Sequence, residues 1–391
     1  MQRGRIPGLR LRCRSGSGGR TTAPGVLLSH ARGDQAASKK WQIAESRIRS
    51  MTTHVEPGAA LPNRARVVVS ILNWNNAPST LSCIHSLLAS TTDAFDMRVT
   101  VVDNGSDRND WMALSRGLGN ENIQLIRLET NIGFAAGHNI VIRSALNDNV
   151  DYVWLLNNDT WIPEGTLQKL VRFMDEDPTC GATSPVIYAL HDSSVIDFCG
   201  VCHDWKNLRK IIPIGVNESR QLEASNPGDM GLYGTALMLR TAALQNAGLL
   251  NEDYFAYYED DDINRRISDV GWKNRMCFNA AISHRRTPDS FAGRPDYYFY
   301  LMSRNDLFFW VRYGRGSLHK KLIRLRLVSR SLIRASRLRS RGMLKKSESC
   351  LLGIHHGLTQ RGGAPNLDGG PPSWMLFVSR YVPRILLKCL A

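Results

Sequence analysis

The stretch DYVWLLNNDT, residues 151–160, decides how this chain is read. Tyr152 to Leu156 form an unbroken apolar run that ends on Asn157, Asn158 and Asp159. A run of this kind marks a strand buried within a parallel sheet. Its polar end supplies hard oxygen donors, the ligands that magnesium and manganese take. A polar turn after a strand has the same letters, so the neighbouring segments must decide between the two.

Working outward, residues 67–72, 98–102 and 123–128 are further apolar strands, and residues 79–89 and 134–146 carry helical spacing. Strands alternating with helices predict an α/β architecture with a mainly parallel sheet covered on both faces. Ligands then bind beyond the carboxyl ends of the strands, where Asn73, Asp103 and Asp159 fall. Downstream, a helix is expected from Pro163 to Met174, then strands at 182–188, 234–239 and 272–278, and helices at 263–270 and 297–312.

Charge separates the ends from the middle. Residues 51–310 hold 22 basic and 31 acidic residues, whereas 311–348 hold 13 and 1. The middle is therefore net −9 and the ends together +24, which gives the overall +15; the basic excess lies outside the segment that reads as folded, which argues against a nucleic-acid-binding domain. No apolar stretch is long enough to span a bilayer. The eight cysteines are scattered, as suits reduced thiols better than a disulfide framework. Cys199-Gly-Val-Cys202-His203 has the spacing of c-type haem attachment, but nothing else in the chain supports it.

Four segments flank or follow the first in a fixed order: VVVSILNWN (67–75), VTVVDNGS (99–106), NIGFAAGHN (131–139) and YFAYYEDDDINRR (254–266). Together with DYVWLLNNDT they resemble the inverting glycosyltransferases of family 2, in particular the rhamnosyltransferase-like branch, over residues 64–312. The resemblance implies a single-domain GT-A fold and metal-dependent transfer of a sugar, with rhamnose the first candidate. The donor would be a dTDP- or UDP-sugar and the acceptor a glycan or a lipid-linked glycan in cell-surface polysaccharide synthesis. A catalytically degenerate binder of nucleotide sugar or glycan on the same fold is the alternative, suggested by Asn157 and Asn158 where many relatives carry acids.

Transfer from a nucleotide sugar needs a grip on the nucleotide, charge compensation for the departing diphosphate, and a base for the acceptor hydroxyl. On the resemblance, Asp103 binds the nucleobase, and Asn73, Asn104, Asn131, Gly133, Asn139 and Asn158 lie on the donor side. Gly133 opens a helix whose N-terminal N–H groups would face an anion. The pattern GxGxxG is absent, which weighs against a dinucleotide-binding dehydrogenase. Asp159, completed by His284, would hold Mg2+ or Mn2+, and Arg304 of an Arg-Asn pair would reach phosphate. His138 reads as a helix-surface residue. Among the acids Glu259 to Asp262, the resemblance assigns the base to Asp260, with Glu259 and Asp262 orienting it or touching acceptor. Asp261 reads as a helix N-terminal charge. Crowded like charges should raise at least one of their pKa values.

The ends are expected to behave differently. Residues 1–63, rich in Arg, Ser and Gly, read as a disordered or non-native extension, with Met51 an alternative start and an organelle transit peptide the second reading. Residues 313–346 read as a basic amphipathic helix whose leucines (318, 322, 325, 332) share an arc with Val328 and Ile333. Residues 347–391 read as a tail containing Gly and Pro. The basic helix predicts attachment of a cytoplasmic protein to the anionic inner face of a membrane, with no nucleic-acid partner.

Overall fold

Nine strands join in one sheet in the structure, a computed structural model that describes residues 64–90, 94–119, 123–285 and 293–381. The N-terminal extension expected over residues 1–63, with Met51, lies outside the described residues.

The first half alternates as its apolar runs require: β1 (Ala65–Asn73), α1 (Ala77–Ala89), β2 (Phe95–Asp103), α2 (Arg108–Gly117), β3 (Ile123–Arg127), α3 (Phe134–Asn147) and β4 (Tyr152–Asn157). Then come β5 (Thr160–Trp161), α4 (Thr166–Glu176), β6 (Cys180–Ala189) and β7 (Asp192–Phe198), followed by β8 (Cys202–Asp204) and β9 (Arg209–Ile211). After α5 (Val216–Ser225), β10 (Ala236–Arg240) and α6 (Thr241–Ala247), a 3-10 turn at Glu252–Tyr254 leads to α7 (Glu259–Asp269) and β11 (Lys273–His284). Four helices close the described chain: α8 (Asp296–Arg312), α9 (Gly316–Ser340), α10 (Leu344–Leu358) and α11 (Ser373–Tyr381).

The strand order is β3-β2-β1-β4-β10-β6-β11-β5, with β7 beside β6. β1 runs parallel to both β2 and β4, and the register sets Asn73 opposite Asp103 and Leu72 opposite Asn157. One edge of the sheet therefore gathers the polar ends of three strands. The sheet is not wholly parallel: β10 is antiparallel to both β4 and β6, and β5 to β11. The β5 contact makes His284 the last residue of a strand, paired with Thr160, rather than a loop residue.

Val69, Ile71, Val153, Trp154, Leu155 and Leu156 are fully buried in the core around the sheet, each such aliphatic side chain contributing about 1.5–3 kcal/mol. A second core, built on Phe309 and Trp310 of α8 with Ile323 and Leu327 of α9 and Leu351 and Ile354 of α10, binds the C-terminal helices together.

The basic helix α9 departs from the expected surface arc. Leu332 and Ile333 are buried, whereas Leu318, Leu322 and Leu325 are 70%, 50% and 45% exposed. Only the first turns project freely; the rest pack on α8 and α10. Among the described residues of the expected tail, 347–358 and 373–381 are helical. Gly353 and Gly357 lie within α10, where a Cβ at Gly353 would come within 2.2 Å of the Tyr300 carbonyl. They allow close helix contact instead of breaking the helix. Among the described residues, no helix is long and apolar enough to cross a membrane.

Candidate active site

At the carboxyl edge, Asn73 is fully buried and its amide faces Asp103 Oδ1 at 2.8 Å, Asp110 Oδ2 at 2.8 Å and Ser106 Oγ at 3.1 Å. Thr80 donates to Asn73 Oδ1 at 2.7 Å and accepts from Asn158 Nδ2 at 2.8 Å. A continuous chain thus runs from Asp103, the expected nucleobase ligand, to the polar end of β4. Buried networks of this kind hold their members in fixed orientation.

Asp159 and His284 meet at the other end of this edge, with His284 Nε2 3.3 Å from Asp159 Oδ1. Its second nitrogen is 2.8 Å from Asp197 Oδ2, on β7. Burial disfavours charge on this imidazole, but hydrogen bonds to Asp159 and Asp197 outweigh it and raise its pKa to about 9. The imidazole is thus charged between two carboxylates, and it would ligate a divalent cation beside Asp159 only on giving up its Nε2 proton, with Asp197 orienting it from behind. Among the described residues, no group of three or more His, Cys, Asp or Glu is placed to hold a metal by itself. A cation there would take its remaining ligands from the diphosphate and water.

The acids stand at the start of α7 after a loop of unusual backbone. Phe255, Tyr257 and Tyr258 have φ of 63°, 68° and 77°, a region costly for side chains other than glycine. Asn305 holds this shape: its Nδ2 is 3.0, 2.9 and 2.8 Å from the carbonyls of Tyr254, Ala256 and Tyr257. Arg304 adds bonds to the carbonyls of Asp253, Tyr254 and Gly363.

Of the four acids only Asp260 is partly open; Glu259, Asp261 and Asp262 are buried. Burial, with the like charge of Asp261, pushes Asp260 up to about 6. Burial beside Asp260 drives Glu259 well above the usual carboxylate range, and its Oε2 has no hydrogen-bond partner. Asp260 Oδ2 accepts from Gly234 N–H at 3.0 Å, and the next residue, Thr235, accepts from Asn157 N–H at 2.9 Å. One turn before β10 therefore ties the Asp260 corner to the Asn157–Asp159 corner.

Several residues expected at the site shape it from behind. Asn139 is fully buried and bonds both the N–H and the C=O of Leu250. Asn104 bonds Ile132 N–H and Gly133 C=O, and Asn131 accepts from Gly133 N–H. Arg304 is fully buried with its guanidinium on backbone carbonyls, so it moulds the acidic loop instead of reaching phosphate. Asp262 is fully buried against Arg266 at 2.8 Å and the Tyr313 hydroxyl at 2.9 Å, and so does not face an acceptor. The N-terminus of α3 does not offer its first N–H groups to an anion: Phe134 and Ala135 donate to the Phe255 carbonyl. His138 is buried, not on the surface, and bonds Ser70 Oγ at 2.7 Å. Asp261, read as a helix-end charge, is ion-paired with Lys210 and lies 2.9 Å from His203. That contact engages the histidine of the haem-like spacing, and Cys199 and Cys202 are buried free thiols.

Sequence reasoning missed Thr80, Asp110, Asp197, His203 and Lys210. Asn305 was visible only as the neighbour of Arg304.

Residues 67–197 match the family model described as glycosyl transferase family 2. The N-acetylglucosaminyl-diphospho-decaprenol L-rhamnosyltransferase of Mycobacterium tuberculosis is 26% identical over 293 residues, covering 66% of this chain and 92% of that protein. S. aureus TarS 1–349 in complex with UDP-GlcNAc superposes with a TM-score of 0.50 at 16% identity, over 76% of this chain and 81% of that one. The mannosyltransferase PcManGT of Pyrobaculum calidifontis, with GDP-Man and Mn2+, gives 0.49 at 15% identity, over 85% and 98%.

Proposed function

We propose that this chain, a glycosyltransferase of family 2 on the GT-A fold, moves rhamnose or a related sugar from a dTDP- or UDP-sugar to a lipid-linked glycan, inverting the anomeric centre. The lipid-linked acceptor is suggested by the N-acetylglucosaminyl-diphospho-decaprenol named as the acceptor of the mycobacterial relative. The observation that carries the reading is the turn at Gly234 and Thr235, which bonds Asp260 on one side and Asn157 on the other. It places a half-buried carboxylate beside the edge where a donor's diphosphate would lie.

Asp260 would accept the proton of the acceptor hydroxyl while that oxygen forms a bond to the anomeric carbon. The bond from that carbon to the diphosphate breaks on the opposite face, and the diphosphate leaves with the electron pair. A pKa near 6 keeps Asp260 ionised at neutral pH yet basic enough to share a proton in the transition state. Asp159 and His284 would hold Mg2+ or Mn2+, which compensates charge on the leaving group. Asp103 is fully buried, with its oxygens facing Asn73 and the Ser106 N–H, so it would shape the nucleobase end from behind.

Nucleotide release from dTDP-rhamnose and a panel of UDP-sugars, with and without manganese and a prenyl-diphosphate-linked N-acetylglucosamine, tests this. Acceptor-dependent release that Asp260→Asn abolishes supports it. Binding without release from any donor would favour the degenerate binder.

Presentation of a lipid-linked acceptor fits an attachment surface for anionic lipid. Leu318, Leu322 and Leu325 are exposed beside Lys321 on α9, and Trp374, Phe377 and Tyr381 are exposed on α11. Aromatic side chains favour the interface, and basic ones contribute about 1 kcal/mol each near anionic lipid. Binding to phosphatidylglycerol vesicles should weaken with salt and with Trp374→Ser/Phe377→Ser; equal binding to neutral vesicles would overturn it.

A further inference from the structure

One cation beside the acids has no part in the transfer as described. β8 and β9 form a two-stranded hairpin outside the nine-stranded sheet, and it carries His203 and Lys210 to the first turn of α7. The Lys210 ammonium is paired with Asp261, whose other oxygen faces His203 Nε2. Lys210 also lies 4.9 Å from the ring centres of Tyr233 and Tyr258. Arg326 and Arg330 of α9 fix the turn of the hairpin by donating to the carbonyls of Lys206, Asn207 and Leu208.

An ammonium is strongly hydrated, and stripping it of water is costly unless its charge is used. Here it faces a helix start bearing four acids.

We propose that Lys210 is a positioning residue whose charge, held on Asp261, offsets that carboxylate so that the neighbouring Asp260 stands ionised and able to take a proton. The inference rests on the reading of Asp260 as the base. The groups that face Asp260 are Glu259 and Asp261 from its own helix, Lys210 from β9, Tyr233, and the N–H groups of Gly234 and Asp261. Tyr233 and Tyr258 flank Lys210, and His203 acts through Asp261. Asp261 raises the Asp260 pKa and Lys210 lowers it. Asp261 itself, despite burial, is brought down to about 2 by Lys210 and His203, so it is a full negative charge at neutral pH. Burial drives Glu259 well above the usual carboxylate range, so Asp261 is the like charge that bears most on Asp260.

A pair that merely glues the hairpin down would predict the same loss whichever partner is removed. An electrostatic role predicts opposite signs. In kcat/KM against pH, measured with dTDP-rhamnose and a short-prenyl diphosphate-linked N-acetylglucosamine, Lys210→Met should move the acidic limb upward by about one pH unit or more, and Asp261→Asn should move it downward. Lys210→Arg should leave it in place, and the double variant Lys210→Met/Asp261→Asn should return it towards wild type. The same shifts should appear without turnover in the carboxyl 13C titration of Asp260, assigned by loss of its signal in Asp260→Asn. Limbs that stay fixed, or move in the same direction in both single variants, would overturn the inference. Asp260→Asn measured in parallel separates the two claims. Full turnover there removes the base and this inference with it, whereas lost turnover with unmoved limbs in the Lys210 and Asp261 variants removes this inference alone.

Discussion

The two sides of the candidate site are built in different ways. On the donor side, Asn73, Asp103 and Asn157 end neighbouring strands, and the register of β1 with β2 and β4 sets their spacing. On the acceptor side, the acids follow a loop in which Phe255, Tyr257 and Tyr258 occupy left-handed backbone, at about 1–2 kcal/mol each. Locally, Ala256 N–H bonds the Tyr254 carbonyl at 2.7 Å; Asn305 and Arg304, from a helix some 50 residues further on, add the long-range bonds that hold the shape. The donor side is therefore rigid through its own hydrogen-bond ladder. The acceptor side depends in addition on the C-terminal helices that hold its loop.

That difference predicts where substitutions act. Asp260→Asn, an almost isosteric change, should lower kcat by about 10²–10⁴-fold, the usual contribution of a general base. Donor affinity measured by calorimetry should stay near wild type, because the strand ends are untouched. Near-normal turnover would remove Asp260 from the chemistry. Asp159→Ala should do the reverse, weakening donor binding in manganese by about tenfold or more and making it insensitive to chelator. Asn158→Asp, which adds charge at the same edge, should preserve or tighten binding. Donor affinity indifferent to both chelator and Asp159→Ala would show that no cation works there.

Asn305→Ala sharpens the comparison further, since it touches neither substrate nor strand ends. It leaves the carbonyls of Tyr254, Ala256 and Tyr257 without their shared donor, at about 1–3 kcal/mol for each one left unsatisfied. The melting temperature should fall, and kcat should drop while donor affinity holds. A loss of donor affinity equal to the loss of kcat would mean that the two sides are not separate.

The same contrast explains what the sequence could reveal. The strands of the donor side were legible because apolar runs have a period and a length, and a polar residue at the end of such a run has few other places to point. Asp103 and Asp159 fall at strand ends on that ground, whereas Asp260 is singled out by the resemblance and its partial exposure was not legible. Nor were the roles of Asn139 and Arg304, because an amide or a guanidinium bonds a backbone carbonyl as readily as a ligand, and their partners lie 111 and about 50 residues away. Lys210 sits in a short hairpin with no periodic signal, 51 residues before Asp261.

The smallest expected effect lies at the seam between the two sides. Gly133 has φ +94°, and a Cβ there would come within 2.6 Å of both the ring and the carbonyl of Phe255. That carbonyl caps α3 by accepting from Phe134 and Ala135, so the donor loop and the acidic loop share one peptide group. Gly133→Ala must strain the donor loop and push Phe255 away, a cost of about 1–3 kcal/mol. For a domain of this size that is a melting-temperature drop of roughly 2–4 °C per kcal/mol. Because the displaced group belongs to both sides, donor affinity and kcat should fall together and by similar factors, unlike the one-sided losses expected at Asp159, Asp260 and Asn305. A variant with the wild-type melting temperature and unchanged kinetics would show that the seam yields freely, and that Phe255 does not couple the donor loop to the base.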